Sequence, residues 1–299
     1  MSERSGAELL AHLTHVRREH PERIADVLHF RRRRPLLSDA GTMFLVAADH
    51  PARGILRVGA DERAMADRGE MLRRLLIALS RPGVDGVMAT PDVVEDLALL
   101  GALEERVVFG SMNRGGLAGS AYELDDAATA YSARAVEASN LDGGKLMVRV
   151  ADDDPASLRT MVAAAEAISQ LAVRRLTAMV EVFASTGAGG HAANLGGIDD
   201  LVRAVHIVQG LGETSAYTWL KLPVAEDLGR LLSATSLPVV LLGGDPGPEA
   251  GATYALWAQA MARPQVVGLV AGRTLLYPDH GDVGKAVDEA AAIVARGSR

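Results

Sequence analysis

The chain of 299 residues has only three lysines, Lys145, Lys221 and Lys285, among its 31 lysine and arginine residues. Lys145 and Lys221 lie in the strand-like apolar runs "GGKLMVRV" and "YTWLKLPV". A guanidinium stays charged, whereas a desolvated lysine can lose its proton and attack a carbonyl carbon. Lys221, between Leu220 and Leu222, is therefore the best candidate for a nucleophilic amine. The alternative is a lysine whose head group reaches water at the surface.

Such an amine must be placed by a scaffold, and the chain offers a repeating one. From residue 43 onward, eight apolar and β-branched runs alternate with helical patterns. Strands joined by helices pair in parallel through right-handed crossovers, and eight units without a linker predict a (β/α)8 barrel over residues 43–299. Residues 1–42 predict a short helical extension, and an open doubly wound sheet is the alternative fold. The runs span residues 43–49, 84–90, 106–112, 145–151, 177–184, 216–222, 238–244 and 266–272.

Polar residues gather at the predicted strand ends, where the active site of a barrel lies. The first run ends in Asp49 and His50, and the fifth carries Glu181 between two valines. A buried carboxylate is costly unless it is paired. We therefore expect Asp49, Glu181, Lys145 and Lys221 to meet at one mouth of the barrel, where their charges sum to zero. His50 is expected to contact substrate there.

Two glycine turns predict a phosphate site. The seventh and eighth runs end in "LLGGDPG" and "VAGRTLL", and such turns let backbone N–H groups approach a phosphate. Arg149 shares a strand face with Lys145 by the two-residue period and is a further candidate for binding substrate. The predicted phosphate-binding residues are Gly243, Gly244, Gly272 and Arg273.

These residues also have structural interpretations. Lys145 could lie at the bottom of its strand and face water, and Asp49 could cap the turn that follows it. Glu181 could be a structural partner of Arg149 or of Lys145, and the glycines could serve the turns alone. The glycine-rich segment at residues 187–197 predicts either a mobile lid or a plain loop, with His191 as a minor candidate.

Composition narrows the class of protein. A net charge of −7 argues against nucleic-acid binding. The chain has no cysteine, no apolar stretch of the roughly 18 residues that a membrane span needs, and a charged N-terminal segment unlike a signal peptide. We expect a cytoplasmic protein without cofactor or metal, and a homo-oligomer. The run from Arg31 to Arg34 predicts a solvated segment, with acidic neighbours or a partner subunit as the alternative.

Several segments together resemble a known family. "AADHPARG", "KLMVRVADDD", "VEVFAST", "LKLP", "LLGG" and "GLVAGRTLLY" resemble class I, Schiff-base-forming aldolases of the deoxyribose-phosphate aldolase superfamily, over residues 43–277. The likeness is greatest to the tagatose-bisphosphate and archaeal-type fructose-bisphosphate branches. It implies that Lys221 forms the imine with a substrate ketone, and that Asp49, Lys145 and Glu181 match family residues on the first, fourth and fifth strands. It also implies phosphate binding by Gly244, Gly272 and Arg273.

Two departures bear on the chemistry. Phe183 stands where the archaeal-type enzymes carry an acid tyrosine, which makes Glu181 the substitute candidate for proton transfer. The segment "LKLPV" also lacks the longer "K-V-E-V-P" spacing of the tagatose-bisphosphate branch. The chain is similar as well to an aldolase-like (β/α)8 group associated with inositol breakdown. That likeness implies 5-dehydro-2-deoxygluconate 6-phosphate as substrate, split into dihydroxyacetone phosphate and malonate semialdehyde.

Other functions remain open from the sequence. One is a metal-dependent aldolase or another barrel lyase, isomerase or decarboxylase, although the eight histidines do not cluster at strand ends. The other is a barrel that binds a sugar phosphate without catalysis, which the missing tyrosine allows.

Overall fold

Eight parallel strands form a closed barrel, which confirms the predicted (β/α)8 fold. The computed structural model describes residues 4–187, 192–225, 227–244 and 250–297. A short additional strand, Ala193–Asn194, lies outside the barrel and pairs antiparallel with the end of the strand Thr177–Thr186. The strands are β1 (Met43–Ala47), β2 (Gly86–Ala89), β3 (Val107–Ser111), β4 (Gly143–Val150), β5 (Thr177–Thr186), β6 (Ala193–Asn194), β7 (Thr218–Leu222), β8 (Val239–Leu242) and β9 (Val266–Ala271).

The barrel strands follow one another in chain order, with β4 paired to β5 and β9 paired to β1. Several strands end before the predicted runs do, because their terminal polar and glycine residues leave the sheet for the βα loops. Asp49 follows β1 by two residues, and Gly243 and Gly244 follow β8 directly. The chemistry-bearing ends therefore lie in the loops at the C-terminal mouth, as in other barrels.

Helices surround the barrel, and many begin at a side-chain cap. Asp154 and Asp282, for example, accept backbone N–H bonds at the first turns of their helices. The helices of the described residues are α1 (Gly6–Glu19), α2 (Arg23–His29), α3 (Arg68–Ser80), α4 (Pro91–Leu99), α5 (Ala133–Ala138), α6 (Pro155–Val173), α7 (Ile198–Val208), α8 (Leu228–Ser233), α9 (Ala250–Met261), α10 (Arg273–Leu276) and α11 (Val283–Arg296).

The core has two parts. A large cluster fills the space between the strands and the helices, and Leu9 and Leu13 of α1 belong to it. A smaller cluster fills the interior of the barrel, and Leu36 and Leu37, just before β1, pack against it from the N-terminal side. The inner cluster comprises Met43, Leu45, Ala47, Met88, Val107, Phe109, Met179, Val240 and Val270. The barrel is thus a packed core below its mouth, and any site must lie above that core.

The arginine run is only partly the solvated segment that the sequence favoured, because Arg32 and Arg33 are exposed but Arg31 is buried. Arg31 is 4% exposed, and its guanidinium bonds Asp142 at 3.0 Å and the carbonyls of Arg106 and Asn140. Arg33 also pairs with Asp142, at 2.6 Å. The acidic-neighbour alternative is the correct one, because burial of these carboxylates at the strand starts requires cations beside them.

Asp85, directly before β2, is also a carboxylate paired with an arginine of the run. Its carboxylate accepts the backbone N–H of Phe44 at 2.8 Å and pairs with Arg34 at 2.6 Å. Asp142 in the same way accepts the N–H of Val108 at 2.8 Å. We call Arg31, Arg33, Arg34, Asp85 and Asp142 the lower arginine cluster. It ties the N-terminal segment to the starts of β1 and β3.

Candidate active site

The four charged residues that the sequence brings to the mouth form a continuous chain of ion pairs. Lys221 Nζ lies 2.6 Å from Glu181 Oε1, and Lys145 Nζ lies 2.5 Å from Glu181 Oε2. Lys145 Nζ also lies 3.2 Å from Asp49 Oδ2. We call these four residues the charged layer. Glu181 thus bridges two amines, one to each carboxylate oxygen.

Strand register places these groups at neighbouring levels. Met147, Glu181 and Lys221 are aligned on β4, β5 and β7, and Lys145 lies one inward step below Met147. Lys145 is 2% and Lys221 4% exposed. The water-facing interpretation of Lys145 is therefore wrong, and so is the surface interpretation of Lys221.

Asp49 is held from the loop that follows β3. Its Oδ2 accepts a bond from Ser111 Oγ at 2.8 Å and from Arg114 Nη1 at 2.9 Å, and Arg114 also bonds its backbone carbonyl. Asp49 therefore does not cap the turn after β1. Neither Ser111 nor Arg114 is among the residues that the sequence singled out. The rule that barrel chemistry lies at strand ends would have found both, since β3 ends at Ser111.

Burial and the cations act in opposite directions on the two carboxylates. Burial would raise the pKa of Asp49, but the charges of Arg114 and Lys145 hold it well below its ordinary value. Burial likewise opposes ionisation of Glu181, and Lys145 and Lys221 outweigh it to lower the pKa of Glu181. The pKa of Lys145 is lowered by burial, against the attraction of Asp49 and Glu181. Both carboxylates are therefore ionised in this site near neutral pH.

His50 adds a neutral imidazole to the mouth. Partial burial lowers the pKa of His50 to about 3. The charge of Asp49 opposes this shift, and the charges of Arg273 and Lys221 favour it. His50 Nδ1 lies 4.0 Å from Asp49 Oδ1. His50 therefore offers a hydrogen-bonding ring without a charge.

Arg149 lies one inward-facing step above Met147, beside Phe183 on β5. It pairs with Glu123 of the β3 loop: Arg149 Nη2 is 3.0 Å from Glu123 Oε1. Glu181 forms its ion pairs with the two lysines, so of its two predicted structural partners Lys145 is paired with it and Arg149 is paired with Glu123 instead. Glu123 lies behind Arg149 rather than on the cavity wall; the sequence did not single it out, and its position in a loop far from any strand gave no signal.

The β3 loop is fixed to the barrel by Arg53. The guanidinium of Arg53 donates to the carbonyls of Asn113 and Gly116, both at 2.8 Å, and pairs with Asp126. Arg53 is 3% exposed. Because this loop carries Arg114 and Glu123, Arg53 positions two groups of the site at once.

The glycines at the opposite side are explained by backbone geometry. Gly244 has φ of 69°, a conformation that favours glycine. A Cβ on Gly272 would lie 2.4 Å from the carbonyl oxygen of Ala47 and 3.1 Å from His50 Cε1. Gly243, Gly244, Gly272 and Arg273 all line the same cavity as the charged layer. The predicted phosphate residues thus lie together, although the glycines would be required by the turns alone.

One cavity of about 180 Å³ joins the charged layer to the glycine turns, and Arg53, Arg114 and Arg149 also line it. Phe183 and Asn194 line it on the side of β5, and Asn194 belongs to the β6 hairpin on the segment predicted as a lid or loop. His191 lies outside the described residues. Ten predicted site residues line this cavity: Asp49, His50, Lys145, Arg149, Glu181, Lys221, Gly243, Gly244, Gly272 and Arg273.

Within the described ranges, no group of three or more His, Cys, Asp or Glu side chains is arranged to hold a metal ion. No helix in the same ranges is both long and apolar enough to cross a membrane.

Fold and site together define a (β/α)8 barrel with a buried lysine–carboxylate centre at its C-terminal mouth. Residues 41–291 match the Cgl0159-like family model, so the chain belongs to the Cgl0159-like family. The crystal structure of Cgl0159 from Corynebacterium glutamicum is 46% identical with a TM-score of 0.94, and the match covers 97% of each chain. No curated protein matches the chain.

Structures with much lower identity share the fold. An archaeal fructose-1,6-bisphosphate aldolase, whose catalytic lysine is covalently bound to the carbinolamine intermediate of its substrate, is 14% identical with a TM-score of 0.63. This match covers 91% of this chain and 99% of that one. The fructose-bisphosphate aldolase from Slackia heliotrinireducens is 15% identical with a TM-score of 0.64, over 88% and 89% of the two chains.

Proposed function

We propose that the protein is a class I aldolase that cleaves a phosphorylated keto-sugar or keto-sugar acid through an imine on Lys221. The observation that carries this proposal is the buried Lys221 amine, held 2.6 Å from a carboxylate oxygen of Glu181 and facing the cavity. Support also comes from the shared fold with the archaeal aldolase, in which a catalytic lysine bonds the substrate.

Imine formation requires Lys221 in its neutral form, because a neutral amine is the form that attacks a ketone carbon. Glu181 Oε1, 2.6 Å from Lys221 Nζ, lies within reach to accept the proton that the amine gives up.

Glu181 is placed to carry the protons. Its Oε1 first takes a proton from the Lys221 ammonium, which leaves the neutral amine, and gives it to the substrate oxygen as the carbon–nitrogen bond forms, so that the oxygen becomes the carbinolamine hydroxyl. It then takes a second proton from the nitrogen and gives it to that hydroxyl, which leaves as water and leaves the iminium. The ionised carboxylate then removes the proton of the hydroxyl on the carbon to be released as aldehyde. The carbon–carbon bond breaks, its electron pair enters the iminium, and an enamine remains. Glu181 returns the proton to the enamine carbon, and water releases the ketone product.

Lys145 and Asp49 support this cycle from below. Lys145 keeps a positive charge beside Glu181, and Asp49 anchors Lys145. Phe183 lines the cavity and has no proton to transfer, which is consistent with transfer by Glu181.

The substrate spans the cavity. Its phosphate is bound by Gly243, Gly244, Gly272 and Arg273, so that binding energy remote from the reaction holds the ketone beside Lys221. The likeness to the inositol-associated group supports 5-dehydro-2-deoxygluconate 6-phosphate as this substrate, with dihydroxyacetone phosphate and malonate semialdehyde as products.

Borohydride reduction tests the proposal. Purified protein is incubated with dihydroxyacetone phosphate, the ketone product, and reduced; we expect the intact mass to rise by one reduced adduct. In parallel, 5-dehydro-2-deoxygluconate 6-phosphate and a panel of ketose phosphates are tested for cleavage. Cleavage without any adduct would contradict the imine mechanism. Binding without adduct or cleavage would indicate a non-catalytic sugar-phosphate-binding barrel.

A further inference from the structure

The cavity has two chemically different ends. In the barrel of eight strands, β4 and β9 are four strands apart in either direction and so lie on opposite sides. Arg149, near the end of β4, therefore lies opposite Gly272 and Arg273, which follow β9. Lys221 and Glu181 lie between these ends and about 6.6 Å deeper than Arg149, which is one two-residue step along the strand. A substrate with its phosphate at the β9 end must therefore extend its far end toward Arg149.

The Arg149 end already contains a fixed negative charge. Glu123 Oε1 lies 3.0 Å from Arg149 Nη2, and Glu123 Oε2 accepts the backbone N–H of Gly119 at 2.7 Å. Both side chains are largely buried, at 12% and 11% exposure. Glu123 is therefore held in place from both sides and cannot turn into solvent without breaking these bonds.

The second arginine at this end is neutralised as well. Arg53 pairs with Asp126 and donates to two backbone carbonyls of the β3 loop. Arg149 and Arg53 are thus each matched by one buried carboxylate, and Arg114, which also lines the cavity, pairs with Asp49. The charges of these three pairs sum to zero, although N–H donors of Arg149 remain near the cavity.

This balance discriminates between possible groups on the substrate. A hydroxyl or a single carboxylate can bond the guanidinium of Arg149 and share it with Glu123. A phosphate dianion in the same place would face the Glu123 carboxylate across one guanidinium, and juxtaposed like charges are strongly unfavourable in a desolvated site.

We propose that Glu123 is a specificity-determining residue that restricts the substrate to a single phosphate, with a hydroxyl or carboxylate at its far end. This inference rests on the proposed aldol cleavage. It sets the protein apart from an enzyme for ketose bisphosphates, although the structurally similar archaeal protein is a fructose-1,6-bisphosphate aldolase. A keto-sugar acid with one phosphate satisfies it.

The test compares one sugar with one and two phosphates. Binding of a ketose 1-phosphate and of the corresponding 1,6-bisphosphate is measured by calorimetry on the Lys221→Met variant, which forms no covalent bond to either. We expect the monophosphate to bind at least about tenfold more tightly. In Lys221→Met/Glu123→Gln, which leaves Arg149 unmatched, we expect this preference to fall to about threefold or less.

Asp125→Asn, made in the same Lys221→Met background, is the matched control. Asp125 lies on the same loop but pairs with the exposed Arg159. Its loss should leave the preference unchanged, whereas an equal change in both loop variants would contradict a specific role of Glu123. If Glu123→Gln fails to fold, Lys221→Met alone still overturns the proposal when it shows no preference for the monophosphate.

The outcomes separate this inference from the proposed function. Equal binding of the two sugars, or tighter binding of the bisphosphate, overturns the role of Glu123 even where a Lys221 adduct is found. A monophosphate preference that depends on Glu123, without adduct formation in the unmodified protein, supports the subsite and overturns the aldolase. Binding of neither sugar overturns the role of Glu123, and the adduct and cleavage tests then decide the aldolase separately.

Discussion

The two ends of this barrel both bury ion pairs, but only the C-terminal mouth adds lysines to its arginines. At the N-terminal end, the lower arginine cluster joins Arg31, Arg33 and Arg34 to Asp142 and Asp85. At the C-terminal mouth, two of the three lysines of the chain pair with Glu181 and Asp49. The surroundings explain this choice of cation.

In the lower cluster each carboxylate also accepts a backbone N–H of a neighbouring strand, from Phe44 or Val108. Fixed charges with forked donors suit that structural task. The charged layer instead faces a cavity, and Lys221 can exchange its proton and bond carbon. In the lower arginine cluster arginine holds the chain together, whereas the two buried lysines of the mouth serve chemistry. Four predictions test this division.

The largest effect is expected for Lys221→Arg. Arginine keeps the positive charge beside Glu181 but cannot form an imine, so we expect turnover to fall by about 10⁴-fold or more. Steady-state kinetics with the cleaved substrate measures this loss. Lys285→Arg, at an exposed position of α11, is the matched control and should retain full activity. Turnover within about tenfold of the unmodified protein in Lys221→Arg would refute the role of this amine.

The next effect concerns folding at the opposite end. Arg31→Met leaves Asp142 with one cation fewer in a buried site, and we expect the free energy of unfolding to fall by about 3–5 kcal/mol. Urea denaturation measures it, with Arg32→Met as control because Arg32 is largely exposed.

The turnover of the molecules that remain folded should be unchanged in Arg31→Met. A specific loss of turnover in the folded fraction would mean that the lower arginine cluster also serves the chemistry, and the division between the two ends would then be wrong.

Glu181→Gln tests proton transfer at the mouth. Glutamine can keep a bond to a lysine but cannot carry a proton, so we expect kcat to fall by about 10²–10³-fold with KM within about threefold. Kinetics of cleavage at saturating substrate measures the change. A kcat close to that of the unmodified protein would assign proton transfer to another group of the cavity.

The smallest effect is a pH dependence with opposite signs at the two ends. The pKa values of Asp49 and Glu181 are lowered by their cations against burial. Their stabilisation is therefore fully present above about pH 4–5 and is lost as pH falls through the folded pKa values. Burial raises the pKa of Asp85 against its bonds to Phe44 and Arg34, so its contribution is present at low pH and lost as pH rises.

Denaturation of Glu181→Gln and Asp85→Asn between pH 3 and 7 checks these signs. We compare the free energy of unfolding of each variant with that of the unmodified protein. On acidification, we expect the loss caused by Glu181→Gln to become smaller and the loss caused by Asp85→Asn to become larger. The same direction in both variants would contradict the assigned electrostatics.

The barrel and most of the charged layer follow from local pattern. The two-residue period and the strand-end rule place Asp49, Lys145, Glu181 and Lys221 on inward positions without knowledge of any contact. The partners of the arginines do not follow in this way. Arg31 and Asp142 are 111 residues apart, and Arg34 and Asp85 are 51 apart, so only the closed barrel brings them together.

The β3 loop was missed for a related reason. Glu123 pairs with Arg149 behind the cavity because Arg53 fixes its loop through backbone carbonyls, and a pattern of residue types does not report bonds to carbonyls. Loop residues that complete a site are thus the part that needs the fold.

Peptide mapping after borohydride reduction tests the central claim most directly. The unmodified protein is reduced in the presence of dihydroxyacetone phosphate and digested, and the mass of each lysine-containing peptide is measured. The account predicts that the reduced adduct is on the peptide containing Lys221, with Lys145 unmodified. An adduct on Lys145, or none on Lys221 while the substrate is cleaved, would contradict it.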